Sequence, residues 1–308
     1  MLYFEDFKNL PPEARDCVVL IGNFDGVHLG HQALIARARK FANDMGKSLG
    51  VLTFEPHPHQ LFRPDEPPCR ITPHQLKVER LAAQNVDIIL SLPFNWDFAS
   101  QSAEAFVQHI LIEGLAAAHV IVGYDFKFGQ LRQGTPDTIK NAGLAVSVID
   151  EIRGDSDASL SSSRVRQLLR HGKIAQANDV LGWNWEIRGE VFKGDQRGRE
   201  LGYPTANIRL ADTIHPAYGI YACFVKLTEQ EDWMMGATNI GIRPMFEVPM
   251  AQVETFIFDF DREIYGETLS IRPIERLRGE AKFNSLDDLI IQMKKDCDQA
   301  RAILTASL

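Results

Sequence analysis

Two histidines three residues apart, His28 and His31, close a segment punctuated by Gly22, Gly26 and Gly30. The run Val18-Val19-Leu20-Ile21 before it reads as a buried strand, and helical spacing begins after it. A strand, a glycine-rich turn and a helix start make an anion site, because free backbone N–H groups and the helix dipole point at one spot. The histidines add neutral or cationic donors. The glycines do not form GxGxxG, so the dinucleotide fingerprint is missing, and no GxxxxGK[ST] occurs. Zinc on His28 and His31 would need a third protein ligand, and His57 and His59 are the only other histidines with a suggestive arrangement. Taken alone, the pair reads most plainly as a helix cap.

The pair is not alone. Ser161-Ser162-Ser163 introduce a helix over Arg164–Arg170 that carries Arg164 and Arg166. Hydroxyls and N–H groups at a helix start, followed by arginine, form a second anion cradle. Two such cradles point to a polyphosphate held between two helix starts. Further on, Gly194 to Asn207 is glycine-rich and basic. Thr205 and Asn207, two apart, face one way on an extended segment. A hydroxyl and an amide oxygen are hard ligands suited to Mg²⁺; the alternative is a polar loop with a Pro-Thr turn. Glu254 shares its strand face with Phe256 and Phe258. A carboxylate among aromatics is expected to be desolvated and raised toward the range of a general base; the alternative is an edge glutamate facing water.

The elements that must position these residues follow from periodicity. A helix is expected after the first turn, with Leu34, Ala38, Phe41, Ala42 and Met45 in register and Gly46 closing it. Strands are expected at Leu49–Phe54, Val86–Leu90, His119–Val122 and Leu144–Ile149. Helices are expected from Thr72-Pro73 to about Gln84, around Ala103–Ile112 and near Thr135–Ala142. That alternation gives βαβ units and a parallel sheet. A short helix, Ile174–Leu181, ends at Gly182. Residues 185–275 change to short alternating runs, such as Glu186–Phe192, Gly219–Leu227 and Gln252–Phe260, which read as a small antiparallel β-barrel. Ser285 and Asp288 then open a helix whose apolar stripe runs from Leu286 to Leu304 and is explained by packing on the barrel. The fold class is therefore α/β plus β, with a domain of residues 1–182 and a second of 183–308.

With 308 residues, 45% hydrophobic and 24% charged, the chain has apolar material for two cores. A net charge of −8 argues against a general nucleic-acid or membrane-surface binder. The four cysteines stand far apart with no CxxC pair, which fits a reducing cytoplasm. The N-terminal residues carry charge where a signal peptide needs an apolar core, and no apolar run approaches the roughly 20 residues of a membrane span.

His28-Leu29-Gly30-His31 resembles the HxGH signature of nucleotidyltransferases, and Leu160 to Arg166 resembles their ISSTxxR signature, with Ser163 where Thr is usual. The longer strings Gly22 to His31, Phe54 to Pro58 and Val122 to Gly129 resemble bacterial bifunctional riboflavin kinase/FMN adenylyltransferases. So do Pro204-Thr-Ala-Asn207 (the PTAN motif), Ala237 to Pro244 and Tyr265 to Leu269. The resemblance covers nearly the whole chain. It implies a Rossmann-like nucleotidyltransferase domain followed by a riboflavin kinase barrel with a C-terminal helix.

The implied reactions are transfer of the ATP γ-phosphoryl group to riboflavin, and attack of the FMN phosphate on the α-phosphorus of ATP to give FAD and pyrophosphate. It implies catalytic roles for His28, His31, Arg166 and Glu254. ATP or its phosphates would meet Gly22, Asn23, Phe24, Asp25, Gly30, Ser161, Ser162, Ser163, Gly194, Gly198 and Arg199. Flavin would lie near Phe54, Asp125, Phe126 and Phe128, although these aromatics have an equal reading as core. Thr205 and Asn207 would hold Mg²⁺. Implied partners are riboflavin, FMN, FAD and ATP, with no nucleic acid and no membrane. Met245 stands where the family has Thr after Arg-Pro, which leaves open a second reading: an adenylyltransferase whose barrel binds flavin without phosphorylating it.

Overall fold

The computed structural model describes residues 1–152, 159–194, 198, 201–228, 230–243 and 250–307. The chain forms two compact units, one of Met1–Glu66 with His74–Ser161, the other of Pro67–Pro73 with Ser162–Leu308.

The first unit is built on strands β1 (Leu2–Phe4), β2 (Val18–Ile21), β3 (Leu49–Glu55), β4 (Ile88–Pro93), β5 (His119–Gly123) and β6 (Val146–Ile149). They form one six-stranded sheet in the order β1-β4-β3-β2-β5-β6, and every pairing is parallel. All four residues of β2 are buried. Val18 and Leu20 pack on one side with Ile35, Ala38 and Ala42 of α1 (Leu29–Asp44). Val19 and Ile21 pack on the other with Ala103, Phe106 and Ile110. Burial on both faces is why these strands read as continuous apolar runs rather than alternating ones.

The remaining helices of this unit are α2 (Pro58–Phe62), α3 (His74–Ala82), α4 (Trp96–Ala99), α5 (Ala103–Phe106) and α6 (Pro136–Asn141). The helix expected over Ala103–Ile112 differs in kind. After Phe106 the chain widens into a π-helix, Val107–Gly114, and the Leu115 N–H reaches the Ile110 carbonyl at 2.9 Å. The wider turn keeps Val107, Ile110 and Leu111 all buried. β1 went unforeseen: three residues carry no period, and its pairing to β4 is set by partners more than eighty residues away.

The second unit opens with α7 (Ser162–Arg170) and α8 (Ile174–Leu181). Its strands β7 (Ile187–Glu190), β8 (Ala206–Arg209), β9 (Gly219–Leu227), β10 (Met234–Arg243), β11 (Met250–Ile257) and β12 (Thr268–Arg278) follow. Their order is β7-β12-β9-β10-β11-β8, all antiparallel. A bridge between Phe192 and Asn207 nearly closes the sheet into a barrel. The interior takes alternate residues, among them Tyr221, Cys223, Val225, Val253 and Ile271, with Thr238 and Thr255 hydrogen-bonded at 3.0 Å. Helix α9 (Leu286–Ala306) covers the outer face through Ala300 and Leu304, against Ala222, Phe224 and Phe258. Ser285 caps it by accepting from the Asp288 N–H.

Residues 67–73 add a short strap to this unit. Arg70 bridges Thr213, forms an ion pair with Asp212, and the Trp185 Nε1–H donates to the Ile71 carbonyl at 2.9 Å. The sequence pattern sets its domain change at 182/183, whereas compactness groups α7, α8 and this strap with the barrel.

Candidate active sites

The strand order reverses at β2, whose neighbours β3 and β5 are reached by crossovers in opposite directions. In an open parallel sheet the crevice at such a switch point, beyond the carboxyl ends of the strands, is where ligands bind. Gly22 to His31 follows the carboxyl end of β2. Phe54 lies at the end of β3, and Asp125, Phe126 and Phe128 follow β5. Topology thus brings the first-turn residues and the expected flavin contacts to one edge of one sheet.

His28 is the N-cap of α1, and its Nδ1 accepts from the His31 N–H at 3.3 Å. The capping reading of this residue is therefore correct, and it is compatible with catalysis. With Nδ1 accepting, the neutral ring carries its proton on Nε2. The two rings stack at 3.7 Å between centroids, and Phe24 stands edge-on to His31 at 5.1 Å. Gly30 is required by close approach: a Cβ there would lie 2.6 Å from the Leu160 carbonyl oxygen and 3.1 Å from the His28 ring. The start of the serine segment is thereby fixed over the first turn of α1. Phe24 and Val27 hold φ of +50° and +37°, a left-handed backbone unusual for bulky and β-branched side chains. Such conformations persist where surrounding structure over-determines them, and they concentrate at functional sites.

Asp25 is buried, and the Phe24 ring belongs to the core, so any nucleotide contact of Phe24 is through its backbone. Phe54 and Phe128 also lie in the core, Phe126 stacks on Phe128 at 5.3 Å from its margin, and Asp125 is exposed. His57 repeats the capping pattern, accepting from the His59 N–H at 3.2 Å, and His59 pairs with Glu66. No group of three His, Cys, Asp or Glu residues able to hold a metal occurs among the described residues.

Helix α7 begins at Ser162 rather than at Arg164, so Ser162 and Ser163 occupy its first turn. There the backbone N–H groups have no intrahelical acceptor and short hydroxyl side chains are well tolerated. Ser161 stands just before it. Arg166 sits one turn in, and its Nε donates to the Cys69 carbonyl at 2.6 Å, which orients the guanidinium.

The barrel carries a second constellation. Asn207 on β8 stands opposite Glu254 on β11, and Glu254 stands opposite Asn239 on β10. The three polar residues form one row across neighbouring strands, pointing to the same face. Glu254 and Asn239 are half-buried and Asn207 is buried. Phe256 and Phe258, on the same face, meet at 5.7 Å, and Tyr203 closes on Phe256 at 5.2 Å. The Asn207 amide donates to the Thr205 carbonyl at 3.2 Å, while its buried Oδ1 has no hydrogen-bond partner among the described residues. A Cβ at Gly194 would lie 2.8–3.0 Å from the Asn207 amide atoms, so only glycine leaves that oxygen its space. A Cβ at Gly198 would run still closer into the Tyr203 carbonyl oxygen, and the Tyr203 N–H donates to the Gly198 carbonyl at 2.8 Å. Arg199 and Met245 lie outside the described residues. Asn239 was visible in the sequence only as part of a string; its partner in the row is fixed by strand register.

Elsewhere in the barrel unit, Glu186, just before β7, is 1% exposed and binds Arg188 at 2.7 Å and Arg272 of β12 at 3.0 Å. Burial pushes its carboxyl up, but the Arg188 hydrogen bonds and the Arg188 and Arg272 charges outweigh burial and hold it below the usual glutamate range.

Residues 10–164 match the FAD synthetase family model and residues 181–304 match the riboflavin kinase model. A bifunctional riboflavin kinase/FMN adenylyltransferase of Bacillus subtilis is 37% identical over 94% of this chain and 92% of its own length. One of Pseudomonas fluorescens is 38% identical over 97% and 96%. Among solved structures, a chain titled macrolide-efflux protein from Streptococcus pneumoniae superposes with a TM-score of 0.82 at 32% identity, covering 96% of both chains. Among the described residues, no helix here is long and apolar enough to cross a membrane.

Proposed function

This chain belongs to the bifunctional riboflavin kinase/FMN adenylyltransferase family, and on that premise we propose how its residues divide the two reactions. It phosphorylates riboflavin to FMN and adenylylates FMN to FAD, both at the expense of ATP. The match to a riboflavin kinase model and the names of full-length relatives speak against a barrel that only binds flavin. We assign adenylyl transfer to residues 1–182 and the kinase to 183–308.

The observation that carries the assignment is a chemical difference between the two constellations. The glycine turn offers donors: stacked imidazoles, a helix N-terminus and left-handed backbone. The barrel row adds a carboxylate, Glu254, beside the buried amide oxygen of Asn207. FMN carries an anionic phosphate nucleophile near neutral pH, so its adenylylation needs positioning and charge stabilisation rather than a base. The ribityl 5′-hydroxyl of riboflavin must lose a proton on attack, so the kinase needs one.

His28 and His31 donate to the triphosphate of ATP in the first reaction. Gly22, Asn23, Phe24, Asp25 and Gly30 present backbone to the nucleotide. Ser161, Ser162, Ser163 and Arg166 hold the β and γ oxygens and the leaving pyrophosphate. Phe54, Asp125, Phe126 and Phe128 adjoin the isoalloxazine. In the second reaction Glu254 accepts the hydroxyl proton, and Gly194, Gly198 and Arg199 face the ATP phosphates.

Mg²⁺ fits the donor set of Thr205 and Asn207: hard oxygens, one of them buried, with no partner among the described residues, in a space kept open by Gly194. When bound, the ion would neutralise charge on the transferring phosphates. We place the protein in a reducing cytoplasm without nucleic-acid or membrane partners; its net charge of −8 and its four free thiols support this.

The test separates the steps. Glu254→Ala is expected to lose riboflavin phosphorylation by about 10²–10⁴-fold while FMN is still converted to FAD. His28→Ala with His31→Ala is expected to do the reverse. Unchanged FMN formation in Glu254→Ala would remove the base assignment.

A further inference from the structure

The N-terminal unit buries one ammonium group that neither reaction uses. Lys77 of α3 is 4% exposed. Its Nζ lies 3.3 Å from Thr53 Oγ1, 3.0 Å from the Phe54 carbonyl and 3.1 Å from Glu55 Oε2. Glu55 is shared with His74 at 3.3 Å, and the other nitrogen of His74 meets the Tyr3 hydroxyl at 2.7 Å. Lysine is almost never buried unless paired, and here its partners are a carboxylate, a backbone carbonyl and the Thr53 hydroxyl. Thr53 is fully buried, and its Oγ1 donates to the Asn23 carbonyl at 3.1 Å.

The direction of that bond follows from proton count. An ammonium only donates, so the Thr53 oxygen accepts from Lys77 and has its one proton left for Asn23. The Asn23 carbonyl is thus drawn inward onto β3. In a trans peptide the C=O of one residue and the N–H of the next point in opposite directions. With the Asn23 carbonyl held in, the Phe24 N–H is turned outward, away from the sheet. The same peptide orientation fixes Phe24 at φ +50°; turning the peptide over would carry φ back to the ordinary negative range, so the strained residue needs a restraint.

We propose that Lys77 and Thr53 form a positioning relay for adenylyl transfer, locking the Asn23–Phe24 peptide so that the Phe24 N–H faces the nucleotide phosphates. The relay touches no substrate. It acts through one peptide group, and it rests on the assignment of the glycine turn to ATP.

The test uses the full-length protein, with FAD formation from FMN and ATP as the readout and riboflavin phosphorylation as the internal control for folding. Thr53→Val keeps shape and removes the hydroxyl; Thr53→Ser keeps the hydroxyl and removes a methyl. Thr53→Val and Lys77→Met are expected to lower kcat/KM for ATP in FAD formation on the order of ten- to a hundredfold. The rise should fall in the KM for ATP and not in that for FMN, with the kinase rate unchanged. Thr53→Ser is expected to stay within about twofold of the parent, because the donated bond survives. Equal losses in Thr53→Val and Thr53→Ser would overturn the relay, since packing would then explain both. Parental FAD formation in Thr53→Val would overturn it as well, while loss in the His28→Ala, His31→Ala double variant would leave the ATP site standing. If that double variant keeps FAD formation, the ATP assignment of the turn falls, and the relay with it. Should Lys77→Met fail to fold, the Thr53 pair decides alone.

Discussion

Gly30 is the residue at which the first site has least room. An added methyl would meet a backbone oxygen at 2.6 Å, and backbone cannot swing aside as a side chain can. Gly30→Ala is therefore expected to reduce FAD formation at least as strongly as loss of one histidine, with riboflavin phosphorylation kept as the sign of an intact barrel. The corresponding pressure point in the barrel is the Asn207 Oδ1, buried and without a partner among the described residues. Asn207→Ala should raise the Mg²⁺ concentration needed for half-maximal kinase rate by about tenfold or more, read from a metal titration at fixed ATP; an unchanged titration would refute its role as a ligand. At this scale the sequence was informative wherever the residues lie close along the chain. His28, Gly30 and His31 share one turn, and Thr205 lies just before the strand that carries Asn207. Lys77 was invisible for the opposite reason. On an amphipathic helix it looks like any solvent-facing lysine, and its partners Thr53 and Glu55 are more than twenty residues away. Asn239 was equally hidden, because its place beside Glu254 is a matter of register between two strands.

At the scale of elements, strands with both faces buried announce themselves by unbroken apolar runs, which is why β2 and β3 are legible, and β9 is legible by its length and glycine boundary. The π-helix after Phe106 is not, since it departs from an α-helix only in hydrogen bonds that reach one residue further along the chain. Two tethers of the barrel unit make sharp predictions. Asp296 of α9 is 5% exposed and receives a forked bond from Arg278 of β12, with Nη2 at 2.7 Å. Removing it strands a part-buried guanidinium, so Asp296→Ala should destabilise this unit by about 2–4 kcal/mol, measured by chemical unfolding. Glu186 sets a pH dependence. Its carboxyl is held below the unfolded value of 4.5, so the native state favours the ionised form. That stability is present above the unfolded value and is lost as pH falls through the lowered folded one. Thermal midpoints should therefore drop between neutral pH and pH 4 and below, and Glu186→Gln should flatten the acid side of the profile. An unaltered profile would mean that Arg188 and Arg272 do not bias this group.

Across the whole molecule, one chain carries a donor-only site and a site with a base, and the product of the second is the nucleophile of the first. Their order along the sequence is the reverse of their order in the chemistry. Motif order, composition and the change from parallel to antiparallel patterning were all readable in advance. The grouping of residues 67–73, α7 and α8 with the barrel was not, because a strap such as Arg70 bridging Thr213 leaves no local signature. The measurement that bears most directly on the account is a product time course with full-length protein, riboflavin, ATP and Mg²⁺. FMN should appear first, pass through a maximum and give way to FAD, with pyrophosphate released in step with FAD. Failure to form FMN from riboflavin, or accumulation of FMN with no FAD, would contradict it.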